Sequence, residues 1–190
     1  MREDSMLLEM ALGEQDLLKI QSAFPDLRTE LRGGKVIVMS PSGFVSERVV
    51  TSLCSRLNTW VEGRSLGHVV GSSGGFVLPN GDIVGPDVAY VSRERLPVAP
   101  RSFARVVPDL ATEVMSPSDR ISDVQEKLAM LRGQGVRTVA LVDPDEHTVA
   151  IDSEGDAPRV LGDAEFIEFH AVLPGWSMAV SDLWPKDLSA

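Results

Sequence analysis

One cysteine, Cys54, occurs in 190 residues, so no intrachain disulfide can staple the chain. It falls among apolar positions of helical spacing, which assigns it to packing rather than to nucleophilic chemistry. No run of 18 apolar residues is present, and the opening MREDSMLLEMALGEQD surrounds a short apolar stretch with acids, unlike a basic signal region. A cytoplasmic address is the expectation. Bases are scarce: 18 Lys and Arg stand against 28 Asp and Glu, and the net charge of -10 weighs against nonspecific nucleic-acid binding, which draws its affinity from counterion release by basic residues. Any DNA site must be local. His68, His147 and His170 lie far apart without His-x-x-His spacing, which argues against zinc. GSSGG at 71–75 lacks the lysine of a phosphate loop, and there is no Gly-x-Ser-x-Gly elbow for a serine hydrolase. Neither an internal repeat nor a low-complexity linker interrupts the chain.

What is there suits one domain spanning 1–190. A chain of this length buries roughly 70% of its unfolded surface, and 43% hydrophobic with 24% charged residues is the make-up of an ordinary globule. Charge is segregated along the chain. RERLPVAPRSFAR holds Arg93, Arg95, Arg101 and Arg105 against Glu94, while residues 143–168 hold nine acids against Arg159. The arginine stretch reads either as a solvated loop or as a phosphate-facing lip.

Periodicity supplies the elements. GEQDLLKIQSAF (13–24) is an amphipathic helix, and DLRTELRGGKVIVMSP turns through Gly33-Gly34 into a strand that stops at Pro41. From Phe44 to Glu62 the positions Val45, Val49, Leu53, Leu57 and Trp60 predict a helix with one buried face. Residues 68–91 form short strands separated by glycines, with PNGD as a turn. A strand over 109–115 follows, then Ser116-Pro117 predicts an N-cap with proline at N1 and Asp119 as capping-box partner, opening a helix to about Gly133. GVRTVALVDP lacks alternation, as in a strand covered on both faces, and TVAID is its antiparallel neighbour. Strand, helix and strand in that order predict a right-handed parallel crossover. Trp176 and Trp184 in the tail are expected to pack on the core.

The chemistry concentrates at two acids. In a period-2 strand Glu113 shares a face with Ala111 and Met115, among apolar neighbours that predict its burial. A buried carboxylate requires an arginine, a lysine or a metal ion beside it, or a raised pKa. Asp87, within GPDVAY, opens the neighbouring strand, where it can meet Glu113. Two carboxylates and a carbonyl suit Mg²⁺, or equally Mn²⁺. On the helix, Ile121, Val124, Leu128 and Leu131 mark the buried stripe, which puts Lys127 on the rim; there it either leans over the sheet edge toward the carboxylates or pairs with Asp123 on the surface. Glu126 points to solvent.

SGGFVLPNGDIVGPDVAYVSRERL, PDLATEVMSPSDRISDVQEKLAML, GVRTVALVDP and LPGW, in this order from about Pro25 to Pro185, resemble the Uma2 family, formerly domain of unknown function 820, in the restriction-endonuclease-like PD-(D/E)XK superfamily. The resemblance implies an α/β (α+β) fold with a mixed central sheet flanked by helices. It implies Asp87, Glu113 and Lys127 as catalytic residues, and an Mg²⁺ or Mn²⁺ on Asp87, Glu113 and the Val114 carbonyl. The superfamily lysine position is Met115 here, and the family's lysine falls on Lys127. Pro108-Asp109 is a second Pro-Asp pair, with Asp109 a strand opener. The implied activity is endonucleolytic hydrolysis of DNA, with a homodimer plausible because two strands need two sites. Where relatives carry an acid in the first covering helix this chain has Val45, with Glu47 on a different helix face, and an aromatic position after the lysine is Leu131. Those departures and the acidic surface favour a rival, a catalytically silent binding or regulatory module on the nuclease fold. Hydrolysis of a smaller phosphoester is a third reading.

Overall fold

The computed structural model describes residues 11–186, so the acid-flanked opening read above lies mostly outside the described residues. Helix α1 (Glu14–Ala23) leads into β1 (Arg28–Arg32) and β2 (Lys35–Met39), an antiparallel hairpin with Arg28 opposite Met39 and Arg32 opposite Lys35. Its two-residue turn needs positive φ at both positions, and Gly33 and Gly34 supply it at 55° and 72°.

Helix α2 (Phe44–Gly63) buries Ser46, Val49, Val50, Leu53, Leu57 and Val61. Val45, expected in that stripe, is exposed, and Trp60 is only partly buried. The first turn is tied to Ser116, whose Oγ accepts the Gly43 N–H at 2.9 Å, and the apolar face is set by the 49-53-57 row.

The remaining strands are β3 (Gly67–Gly71), β4 (Phe76–Val77), β5 (Ile83–Val84), β6 (Val88–Ser92), β7 (Leu110–Val114), β8 (Thr138–Asp143), β9 (Thr148–Ser153), β10 (Arg159–Leu161), β11 (Phe166–Glu168) and β12 (Ser177–Ala179), with α3 (Ile121–Gly133) between β7 and β8. A six-stranded sheet runs β10-β9-β8-β7-β6-β3 and a four-stranded one β2-β1-β5-β4. Among the described strands β7 and β8 pair in parallel, with α3 as their crossover, and the other strand pairs are antiparallel; a single parallel bridge also joins Phe76 to Ala104. The turn before β5 keeps positive φ at Gly81 alone, not at Asn80.

The large sheet is covered on both faces. Leu110 and Val114 meet α2 and the tail residues Trp176, Met178 and Leu183, while Ala111 meets Leu128 and Leu131 of α3. The unalternating β8 is accordingly buried over five of its six residues. Cys54 packs against the α2 cluster, where burial pushes its thiol pKa up.

Helix α3 does not start at Ser116. Ser116 donates its N–H to Asp119 Oδ2 at 2.8 Å and accepts the Asp119 N–H at 2.9 Å, a closed turn ahead of a helix whose N-cap is Arg120. The Ser116 hydroxyl is engaged by Gly43 instead of capping α3. Among the described residues no helix is long and apolar enough to cross a membrane.

Candidate functional site

Val88 pairs with Thr112 and Ala89 with Ala111, so one further step of the antiparallel register sets Asp87 opposite Glu113. Asp87 Oδ2 accepts the Val114 N–H at 2.9 Å, which fixes the carboxylate across the strand ends. Glu113 is 6% exposed and projects from the face of β7 that α3 covers. Lys127 is 5% exposed. It lies inside the buried face of α3 rather than on its rim, because Ile121 is exposed and the inward face runs through Lys127, Leu128 and Leu131. Its Nζ is 2.9 Å from Glu113 Oε1 and donates to Glu30 Oε1, also at 2.9 Å. Asp123 is not its partner, and Glu126 faces solvent as expected.

Glu30, on β1, is the acid that sequence reasoning missed. It is 2% exposed, and its Oε1 also accepts the Gly85 N–H at 2.9 Å. Its Oε2 lies 3.3 Å from Arg32 Nε. Arg28, on the same face of β1, donates to the Gly85 carbonyl at 3.2 Å and to Asp87 Oδ1 at 3.4 Å. The signal was present as Arg28, Glu30 and Arg32 at i, i+2 and i+4, three charges on one face of a strand. Acids and bases thus interleave around a cavity of about 260 Å³, lined by the bases Arg28, Arg32, Arg120 and Lys127 and the acids Asp87, Glu113, Asp119 and Asp123.

Burial pushes the Glu113 carboxyl up to about 8; Asp87 and Glu30 add to the rise, and Lys127 pulls against it. Burial alone would lower the Lys127 ammonium, yet Glu113 and Glu30 outweigh it and raise the pKa above the usual lysine value. The buried Glu113 carboxyl thus resists ionising, while the Lys127 ammonium beside it holds its charge. Such a pairing, a carboxyl that needs a cation to ionise beside a fixed ammonium, can exchange a proton for a metal or for anionic substrate charge.

Among the described residues no group of three or more His, Cys, Asp or Glu is arranged to hold a metal. An ion here would rest on the opposed pair Asp87 and Glu113, completed by backbone and water. Val114 lines the same cavity.

The arginine stretch after β6 does not border this cavity. It starts at the opposite end of β6 from Asp87; Arg95 is paired with the buried Asp109 at 2.9 Å and Arg105 with Glu14 at 2.7 Å. Asp109 also accepts the Ser92 N–H at 2.8 Å, which makes it the clamp at that end of the strand.

No curated protein matches the chain. Among solved structures, one from Anabaena variabilis described as "a putative nuclease belonging to DUF820" superposes with a TM-score of 0.72 at 18% identity, covering 82% of this chain and 88% of that one. The likeness is one of fold. A DrdV–DNA complex superposes at 0.37 and 15% identity over 61% of this chain and 12% of that one, too slight a likeness to bear on the site. Residues 14–181 match the model of the family described as "Putative restriction endonuclease", and on that match the chain belongs to the Uma2 family.

Proposed function

We propose that this chain is a metal-dependent endonuclease that hydrolyses DNA phosphodiester bonds, with Asp87, Glu113 and Lys127 as its catalytic residues. The observation that carries the reading is the Lys127 ammonium buried 2.9 Å from Glu113, which the β6–β7 register sets opposite Asp87. A hard divalent ion, Mg²⁺ or Mn²⁺, suits two opposed carboxylates and the Val114 carbonyl, with Glu113 Oε1 enclosed and shared with the Lys127 ammonium 2.9 Å away. When bound, it would polarise a phosphodiester oxygen and lower the pKa of a water.

The protein's own groups do the rest. Val114 N–H orients the Asp87 carboxylate toward the strand end. Glu113, whose carboxyl is raised by burial, would give up its proton in favour of a cation, so the site's second carboxylate charge would appear only with the ion bound. Lys127, fixed between Glu30 and Glu113, orients the attacking water and offsets charge that develops on the phosphoryl oxygens. Arg28 and Arg32 sit where phosphate oxygens would enter, and Glu30 keeps Lys127 and Arg32 on the cavity side. A homodimer would present two such sites to two strands.

One observation favours the silent-module reading. Both oxygens of Asp87 already face protein donors, Val114 N–H and Arg28, and position 45 adds no acid. The two readings part on one experiment: single-stranded, double-stranded and branched DNA with Mn²⁺, using wild type, Asp87→Asn, Asp87→Ala and Lys127→Ala. The nuclease reading expects cleavage by wild type and a loss of about 10²-fold or more in each variant, the scale of removing one electrostatic stabiliser. Equal cleavage by all the proteins would expose a contaminant, and no cleavage with no calorimetric heat of Mn²⁺ binding would leave the silent module.

A further inference from the structure

Several exposed apolar side chains flank, in sequence, the mostly polar lining of the Asp87–Glu113 cavity. Phe44, the first residue of α2, is 86% exposed, and Val38 on β2 is 56% exposed; Val45 and Ile121 are exposed as well. Val38 lines the cavity, Ser42 of the lining lies two residues before Phe44, and Arg120 of the lining directly precedes Ile121. The Gly43 N–H to Ser116 Oγ bond holds the start of α2 against that lining. Scattered surface apolar residues need no explanation, but an almost fully exposed Phe44, one residue from the Gly43 that is bonded to Ser116 of the lining, marks a contact surface at the cavity.

Charge decides which contact. The cavity lining presents Arg28 and Arg32, engaged by Asp87 and Glu30, the carboxylates of Asp119 and Asp123, and the exposed Arg120, which forms no ion pair among the described residues. An aromatic face next to guanidinium groups matches a nucleic-acid strand with unpaired bases, whose phosphates take the cations while a base stacks on the ring. A duplex keeps its bases stacked on one another and out of reach of Phe44. It also needs a long basic track, which a net charge of -10 does not supply.

Building on the nuclease reading, we propose that the site takes DNA with unpaired bases, single strands and splayed ends, and that Phe44 selects it by stacking on a base beside the phosphate held in the cavity. The test is fluorescence anisotropy with Ca²⁺ in place of Mn²⁺, so that binding is read apart from cleavage. The probes are a short single strand, its duplex, and an abasic strand of the same length. Proteins are wild type, Phe44→Ala, Phe44→Trp and Val98→Ala, the last an exposed apolar control in the arginine loop.

Wild type is expected to bind the single strand at least about fivefold tighter than the duplex or the abasic strand, and Phe44→Ala to lose about fivefold to a hundredfold, the range of one base–aromatic stack. Phe44→Trp should restore binding and Val98→Ala should leave it unchanged. Equal binding of all three probes, or a Phe44→Ala protein that binds like wild type, overturns the proposal. So does a Phe44→Ala effect confined to sedimentation mass, which would make the apolar rim a contact between copies of the chain. Stacking with no cutting by any metal would leave this inference standing and remove the nuclease reading. Cutting that ignores Phe44 would do the reverse.

Discussion

Lys127 is held by groups remote in sequence, since Glu30 lies 97 positions away. Replacing it with methionine keeps the stem and removes the charge, which leaves the enclosed Glu30 with Arg32 and the Gly85 N–H as partners. The expected cost is about 3 kcal/mol or more, the scale for breaking a buried pair. In urea denaturation the double variant Lys127→Met with Glu30→Gln should cost less than the sum of the two single changes; strict additivity would mean that the two groups do not interact. Glu113 makes a different prediction. Its carboxyl is raised from 4.5 to about 8, so across that window the folded chain keeps a proton that the unfolded chain has released. Stability should therefore fall as pH rises from about 5 to 8, and the Glu113→Gln variant should lose that dependence. The raised Lys127 pKa acts elsewhere: its stabilisation is complete below 10.5 and is lost only at more alkaline pH. Thermal unfolding at pH 5, 7 and 9 reads the difference between wild type and Glu113→Gln, and parallel curves would show that Glu113 is charged at neutrality. Asp87 and Glu113 were legible in the sequence because each sits in or beside an apolar strand whose period fixes its face. Glu30 was not, because nothing local to β1 says that the hairpin will close over α3.

At the scale of elements, local patterns were legible and their docking was not. The Gly-Gly hairpin, the unalternating β8 and the parallel β7–α3–β8 crossover follow from turn chemistry and strand burial, and the structure has all three. The start of α3 was misplaced because Ser116 has two possible uses, as a helix cap or as an acceptor for Gly43. The second depends on α2, 73 positions back, being adjacent. The placement of Lys127 on the rim failed likewise, since the four-stranded sheet covers part of α3 that the helix alone would leave open. One glycine pair tests how tightly β3 is set against β6. A Cβ on Gly67 would sit 2.0 Å from the Val91 carbonyl oxygen, at φ 155°, whereas one on Gly63 meets nothing within 4 Å. Gly67→Ala should lower the urea midpoint sharply, by about 2 kcal/mol or more in stability, because backbone on both sides leaves the clash no room to relax. Gly63→Ala, at the end of α2, should be neutral or stabilising by up to about 1 kcal/mol. Similar midpoints for the two variants would mean that β3 can slide away from β6 at little cost.

Across the whole molecule, the question is how a chain with 28 acids and 18 bases could hold a polyanion at all. The acids concentrate along β8–β11, where residues 143–168 carry nine of them, and two of the arginines in the basic loop are already neutralised by Asp109 and Glu14. What remains at the cavity is Arg120, unpaired among the described residues, with Arg28 and Arg32 engaged by Asp87 and Glu30 and Lys127 committed to two glutamates. Even if phosphates draw Arg28 and Arg32 away from those acids, three contacts on a single strand predict a shallow salt dependence: log K against log salt should have a slope no steeper than about -2, so affinity should fall at most roughly twentyfold between 50 and 200 mM salt. A protein with six or more contacts would lose far more over the same range. The measurement is anisotropy of one labelled single strand over a salt series, repeated with Arg120→Gln, which should reduce the slope by about 0.7 if that side chain meets a phosphate. A slope steeper than about -4 would place the binding surface on basic residues outside the cavity. The local site would then cease to explain how this acidic protein meets DNA.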